Sequence, residues 1–133
     1  MSNRDVSEIV RADILRILWK RGDAPGVLRA SDLSVPEYGS YLVDSARWLE
    51  AEGLVRLGRC HSPVNSPGSF SNASLTAKGE SLLRYKSHGE IKALGDLISE
   101  AFRDAAKDGV KEAIRHAPKL LWTALEAWKT APP

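Results

Sequence analysis

Several features that would assign this chain to a specialised class are scarce or missing from its 133 residues. Cys60 is the only cysteine, so no disulfide forms within the chain. The apolar runs are too short to span a bilayer, and the first ten residues have charged positions instead of the apolar core of a signal peptide. With 19 basic and 17 acidic residues, the net charge of +2 is far below that of histones or ribosomal proteins. We therefore expect a globular, cytoplasmic protein.

Patterns that support catalysis or cofactor binding are also missing. The glycine-containing stretch 22–26 lacks the lysine and the following serine or threonine of a phosphate-binding loop. Cys60 and His61 are adjacent, but no further cysteine or suitably placed acid completes a metal site or a nucleophile. We expect no enzyme, no metal and no cofactor.

Amphipathic periodicity is present from the start of the chain. Apolar residues recur at close to 3.6-residue spacing over 6–21, which predicts a helix ending at Gly22. Residues 27–33 are compatible with a short strand followed by a helical turn. Pro36 then opens a second predicted helix, with Ser34 as its possible cap and Gly53 as its end.

The middle of the chain predicts a hairpin followed by another helix. Residues 54–60 alternate as a strand does, residues 61–68 form a loop rich in proline and serine, and residues 69–75 read as the returning strand. Thr76 is expected to cap the next helix. A polar stretch at 87–89 then suggests a boundary between a domain of residues 1–88 and a helical extension of residues 89–133.

This order of elements resembles the winged helix-turn-helix superfamily. Two segments carry the resemblance: WLEAEGLV at 48–55 resembles a recognition helix turning into the wing, and SLTAKG at 74–79 resembles the start of the helix after the wing. The resemblance covers roughly residues 6–86 and is nearest to small winged-helix proteins of bacteria and their phages with helical C-terminal extensions. It implies a mainly α fold with a small β-hairpin, a winged helix-turn-helix plus C-terminal helices, and a DNA-binding transcriptional regulator.

The resemblance implies two sets of DNA contacts, one on the recognition helix and one on the wing. Arg47 either contacts a guanine edge or pairs with Asp44 or Glu50 on its own helix. The wing arginines either contact phosphates or are ordinary solvated surface. The candidates are Ser40, Tyr41, Asp44 and Arg47 for the groove, and Arg56, Arg59 and Lys78 for the phosphates.

The charge distribution departs from the usual winged-helix pattern. Residues 37–52 hold four acids and one base, a net charge of −3 that phosphates would repel. Residues 54–86 hold five bases and one acid, a net charge of +4. The second helix of the motif is also short or missing. Two functions therefore stay open: double-stranded DNA binding that relies on the wing, and a protein-interaction module that never binds DNA.

The C-terminal residues 89–133 are electrically neutral, with seven acids and seven bases, and have long apolar helical stripes. Burying four or five such side chains is worth roughly 6–12 kcal/mol, which favours a homodimer, although the helices can instead fold back onto the monomer. Contact with a membrane surface or an effector is a weaker alternative, because the segment is not basic. The dimerisation candidates are Leu94, Ile98, Phe102, Val110, Ile114, Leu121, Leu125 and Trp128.

Overall fold

The computed structural model describes residues 2–22, 24–63, 67–86, 89–108 and 116–130, with the backbone alone at 105–108, 116, 124 and 127–130. Within these residues the chain is mainly helical with a small antiparallel sheet of four strands, as expected for the fold class. The helices are α1 (Asn3–Arg21), α2 (Leu42–Ala51), α3 (Ala77–Arg84), α4 (Leu94–Asp108) and α5 (His116–Thr130), and the strands are β1 (Gly26–Leu28), β2 (Val55–Arg56), β3 (Cys60–His61) and β4 (Ser69–Leu75). Two 3-10 helices, Ala30–Asp32 and Pro36–Tyr41, lie between β1 and α2.

Helix α1 begins at Asn3, earlier than its apolar periodicity predicts. Ser2 is its N-cap and forms a capping box with Asp5: the backbone N–H of each residue donates to the side-chain oxygen of the other over 3.2 Å. The predicted end at Gly22 is confirmed, and this glycine has a φ of 71°. The first turn of α1 is therefore fixed by polar capping and not by burial.

The segment before α2 is a 3-10 helix and not the α-helical first turn that Pro36 predicts. Gly39 in this segment lies so close to Ala30 that a Cβ on it would come within 2.6 Å of the alanine methyl group. Ser34 does not cap the segment; its backbone and hydroxyl groups donate to Asp13 of α1 instead. The regular helix therefore begins only at Leu42.

The turn from α2 into the sheet is the one that the sequence predicts. Gly53 has a φ of 77°, and the N–H of Leu54 donates to the Leu49 carbonyl over 3.0 Å to close the helix. Thr76 caps α3, as predicted, by accepting from the N–H of Gly79 over 3.0 Å. A Cβ on Gly79 would lie 2.0 Å from the Leu54 carbonyl oxygen, so the start of α3 lies directly against the start of β2.

Strand β4 is the centre of the sheet and confirms the predicted returning strand. It pairs with β1 on one edge, and with β2 and β3 on the other edge. The prediction of one strand over 54–60 is wrong, because residues 57–59 interrupt the ladder between β2 and β3. At this break Gly58 lies against Ser71, whose carbonyl oxygen would be 2.4 Å from an added Cβ.

The C-terminal helices complete the core of the chain itself. The Trp19 indole N–H of α1 donates to Asp96 of α4 over 3.0 Å, and Gly95 lies against the same ring system. The described dimerisation candidates are 0–9% exposed and belong to the same hydrophobic core as the buried residues of α1. These residues are Leu94, Ile98, Phe102, Leu121 and Leu125.

This burial favours the alternative in which the C-terminal helices fold back onto the chain itself. The five described candidates pack with α1 in one hydrophobic core, and a homodimer stays a prediction. The helical extension of residues 89–133 thus contributes described side chains to the same core as residues 1–88. Val110, Ile114 and the side chain of Trp128 lie outside the described residues. Across the described part of the chain, no helix is both long enough and apolar enough to cross a membrane.

Candidate nucleic-acid interface

The outer face of α2 and its preceding 3-10 turn presents three of the four predicted groove residues. Ser40, Asp44 and Arg47 are exposed and follow one another at helical spacing, which places them on one side of the element. Tyr41 is half-buried, and its hydroxyl donates to the Asn3 side-chain oxygen over 2.8 Å. Tyr41 therefore ties this segment to the start of α1 and is not a free surface group.

Arg47 has partners within the chain, which favours the pairing alternative over a guanine contact in this conformation. Its Nη1 donates to Glu50 Oε1 over 2.9 Å. Its guanidinium carbon lies 5.1 Å from the centroid of the Phe70 ring of β4, within cation–π range. The single base of residues 37–52 is thus neutralised by a neighbouring acid, and the exposed face of α2 keeps its negative character.

The two hairpin arginines, Arg56 and Arg59, differ from Arg47 in their surroundings. Arg56 lies in β2 and Arg59 in the break between β2 and β3, and both side chains are exposed. Neither belongs to any of the ion pairs found among the described residues. The break is held by backbone groups: Gly58 donates to the Ser71 carbonyl over 2.8 Å and Ser71 donates back to the Arg59 carbonyl over 3.0 Å. The two arginines are therefore available to a ligand.

The side chain of Lys78 forms a hydrogen bond within the chain. Its Nζ donates over 2.8 Å to the carbonyl of Glu52, the C-cap residue of α2. A cation at this end stabilises the helix dipole and satisfies a carbonyl that the helix leaves unpaired. Lys78 thus secures the turn at Gly53, so a phosphate contact would cost the chain this bond.

Arg29 and His61 line one groove, although the sequence did not single them out as a pair. Both are exposed, and with Ser31 and Gly68 they line a groove of about 270 Å³ between the end of β1 and the hairpin. Arg29 forms no ion pair with the described residues. The antiparallel pairing of β1 with β4 brings it beside the hairpin, and the only local signal was the short strand read at 27–29.

A buried carboxylate holds the segment that leads into α2. Asp13 of α1 accepts from Arg16 Nε over 2.7 Å, from the Ser34 N–H over 2.7 Å and from the Ser34 hydroxyl over 3.1 Å. Burial raises the pKa of Asp13 above its usual value of 3.8, while the charge of Arg16 and the Ser34 N–H oppose the rise. Asp13 therefore positions α2 relative to α1.

The described residues hold no group of three or more His, Cys, Asp or Glu side chains suited to a metal ion, and Cys60 is a free thiol. Comparison of the chain with protein-family models, with curated proteins and with solved structures finds no match. Function is therefore inferred from the geometry and charge of the chain itself.

Proposed function

We propose that this chain is a winged-helix DNA-binding protein whose β-strands, and not α2, make the main phosphate contacts. The observation that carries the proposal is the position of β4 between β1 on one edge and β2 and β3 on the other, in a chain where Gly53 turns the end of α2 into β2. This arrangement agrees with a helix-turn-helix followed by a wing. Because fold alone does not determine function, the proposal also needs a surface that suits DNA.

Three exposed arginines beside the sheet form such a surface. Arg29, Arg56 and Arg59 are exposed, lie at or beside the outer strands of one small sheet, and have no side-chain ion pair among the described residues, although the Arg29 backbone N–H donates to Asp32 over 2.9 Å. Unpaired cations gain the most from phosphates, since no internal ion pair has to break first. The acidic face of α2 opposes close approach, so the duplex is held from the sheet side. The proposal includes no dimer through α4 and α5, because the described candidates on these helices are at most 9% exposed within one chain.

Charge reversal tests this proposal. The double variant Arg56→Glu, Arg59→Glu should bind a fluorescent random-sequence duplex at least on the order of ten-fold more weakly than wild type at low salt. The matched control is Lys20→Glu, Arg103→Glu, which changes the net charge equally at exposed positions on α1 and α4. Fluorescence anisotropy measures both. Equal weakening by the two double variants, or none by the first, contradicts the proposed interface.

A second function, a protein-interaction module, is favoured by one observation. The exposed side of α2 has Asp44 and an Arg47 already paired with Glu50, a combination that suits a basic protein partner better than DNA. Under this alternative, Asp44→Lys would abolish capture of a basic protein partner. The Arg56→Glu, Arg59→Glu variant would leave that capture unchanged. Under the DNA proposal, Asp44→Lys should tighten duplex binding, because it replaces a repelled charge with an attracted one.

A further inference from the structure

A separate groove lies between α1, α2 and α5, away from the arginines of the sheet. Its volume is about 450 Å³, within the range of about 300–1,000 Å³ found for small-molecule sites. Its apolar floor is made by Leu54, Leu121 and Leu125, and Trp48 forms part of the wall. A groove of this size and lining is suited to the apolar body of a small organic molecule.

The charged residues of the groove are mostly cationic. Arg4, Arg11 and Lys119 line it, against one acid, Glu8. Glu8 is already shared with Arg4, whose Nε lies 3.6 Å from the carboxylate, so its charge is partly compensated. Lys119 is exposed and forms no ion pair among the described residues. The groove therefore has an excess of positive charge beside an apolar floor.

Arg11 is the most distinctive of these cations. Its guanidinium carbon lies 4.1 Å from the centroid of the Trp48 ring, and its Nε is buried without a hydrogen-bond partner in the described part of the chain. Burial lowers the pKa of the guanidinium, opposed first by the charge of Glu8. Because Arg11 lines the groove and its guanidinium is partly desolvated, an anion in the groove gains a charge-assisted contact with it. Stacking on Trp48 also holds the guanidinium in one orientation before any ligand arrives.

We propose that this groove binds a small organic anion with an apolar body, an aromatic carboxylate or sulfonate. Its charged group lies between Arg11 and Lys119, and its apolar part covers Leu54, Leu121 and Leu125. A neutral apolar molecule of the same shape lacks the charge-assisted contact with Arg11 and Lys119 and binds more weakly. The proposal does not depend on DNA binding, and its test contains no DNA.

Two fluorescent probes that differ by one charged group test it. Anilinonaphthalene sulfonate has the anionic group, and phenylnaphthylamine is the same ring system without it. Wild type should bind the sulfonate at least about ten-fold more tightly than the neutral dye, as expected for a charge-assisted contact in a partly buried site. Comparable affinity for the two dyes, or no binding of the sulfonate, overturns the proposal.

Two variants locate the binding. Arg11→Met keeps an apolar stem over Trp48 but removes the charge, and Lys119→Met removes a charge at an exposed position where folding is insensitive. Each should weaken the sulfonate at least about five-fold and change the neutral dye less than about two-fold. The control, Lys20→Met, removes an exposed charge outside the groove and should change neither dye. Unchanged sulfonate binding in Lys119→Met overturns the site even if Arg11→Met fails to fold.

Discussion

Replacing Asp13 by asparagine should destabilise the protein strongly, because this carboxylate joins α1 to the segment that leads into α2. Asp13 is 2% exposed, and its two oxygens accept from Arg16 and from both donors of Ser34. Asparagine has nearly the same shape but only one acceptor oxygen. Its NH2 group must therefore face one of the existing donors, either on Arg16 or on Ser34.

The expected loss of unfolding free energy follows from the Arg16 charge, which loses its partner. The Arg16 side chain is 17% exposed, so removal of its charged partner leaves a largely buried cation. Breaking a buried ion pair from one side costs about 3–5 kcal/mol, and the remaining acceptor of asparagine argues for the lower end, about 3 kcal/mol. For a domain whose total stability is of order 5–15 kcal/mol, this is a large fraction. With a urea m-value of about 2 kcal/mol/M, the midpoint falls by roughly 1.5 M.

Urea unfolding, followed by tryptophan fluorescence and circular dichroism, measures the change. Asp44→Asn, an exposed acid on α2, is the control and should stay within about 0.5 kcal/mol of wild type. Adding Arg16→Met to Asp13→Asn should cost less than the sum of the single changes, since the double variant has no orphaned charge. A loss below about 1 kcal/mol for Asp13→Asn, or strictly additive changes, would refute the reasoning.

The stability that Asp13 contributes should change with pH in a definite direction. Because burial raises the pKa of Asp13 in the folded state, the folded protein holds this proton more tightly than the unfolded chain. The stability from this group is therefore complete below the usual value of 3.8 and declines as the pH rises through the folded pKa. The difference in unfolding free energy between wild type and Asp13→Asn should accordingly shrink as the pH is raised from about 4. A difference that grows with pH would contradict the raised pKa of Asp13.

Three further changes have expected outcomes. Gly79→Ala should lower the free energy of unfolding in urea by about 1–3 kcal/mol, because its Cβ would lie 2.0 Å from the Leu54 carbonyl oxygen. A stability equal to that of wild type would show that α3 can move away freely. Ser45→Ala should be neutral or stabilise by up to about 1 kcal/mol, because the buried Ser45 hydroxyl has no hydrogen-bond partner among the described residues; a clear loss would reveal a missed partner. Glu50→Gln should tighten duplex binding about two- to five-fold, because it frees Arg47 from an exposed ion pair. Fluorescence anisotropy measures the change, and an unchanged affinity would place Arg47 away from the DNA.

The elements that sequence analysis located correctly are those fixed by local chemistry. Gly53 requires a positive φ, Thr76 satisfies the first free N–H groups of its helix, and both act within a few residues of themselves. Strand β4 was located with both of its ends because alternation and flanking turn residues bound it on either side. These signals were sufficient to predict the returning strand of the hairpin and the helix after it.

The features that were missed depend on residues distant in sequence. Residues 57–59 interrupt the ladder where Gly58 lies against Ser71 across the hairpin, a contact that alternation along one strand does not reveal. Lys78 matched a phosphate-binding position, but the fold brings the end of α2 within its reach. The apolar stripes of α4 and α5 were interpreted as favouring a second copy over folding back onto α1, since periodicity shows that a face is buried but not by what.

The salt dependence of DNA binding tests the central claim most directly. If Arg29, Arg56 and Arg59 each neutralise a phosphate, the logarithm of the association constant should fall against the logarithm of salt concentration with a slope of about −3. The Arg56→Glu, Arg59→Glu variant should lose about 2 of this slope, and the Lys20→Glu, Arg103→Glu control should keep all of it. A wild-type slope near zero, or the same slope in all three proteins, would contradict phosphate binding by the sheet.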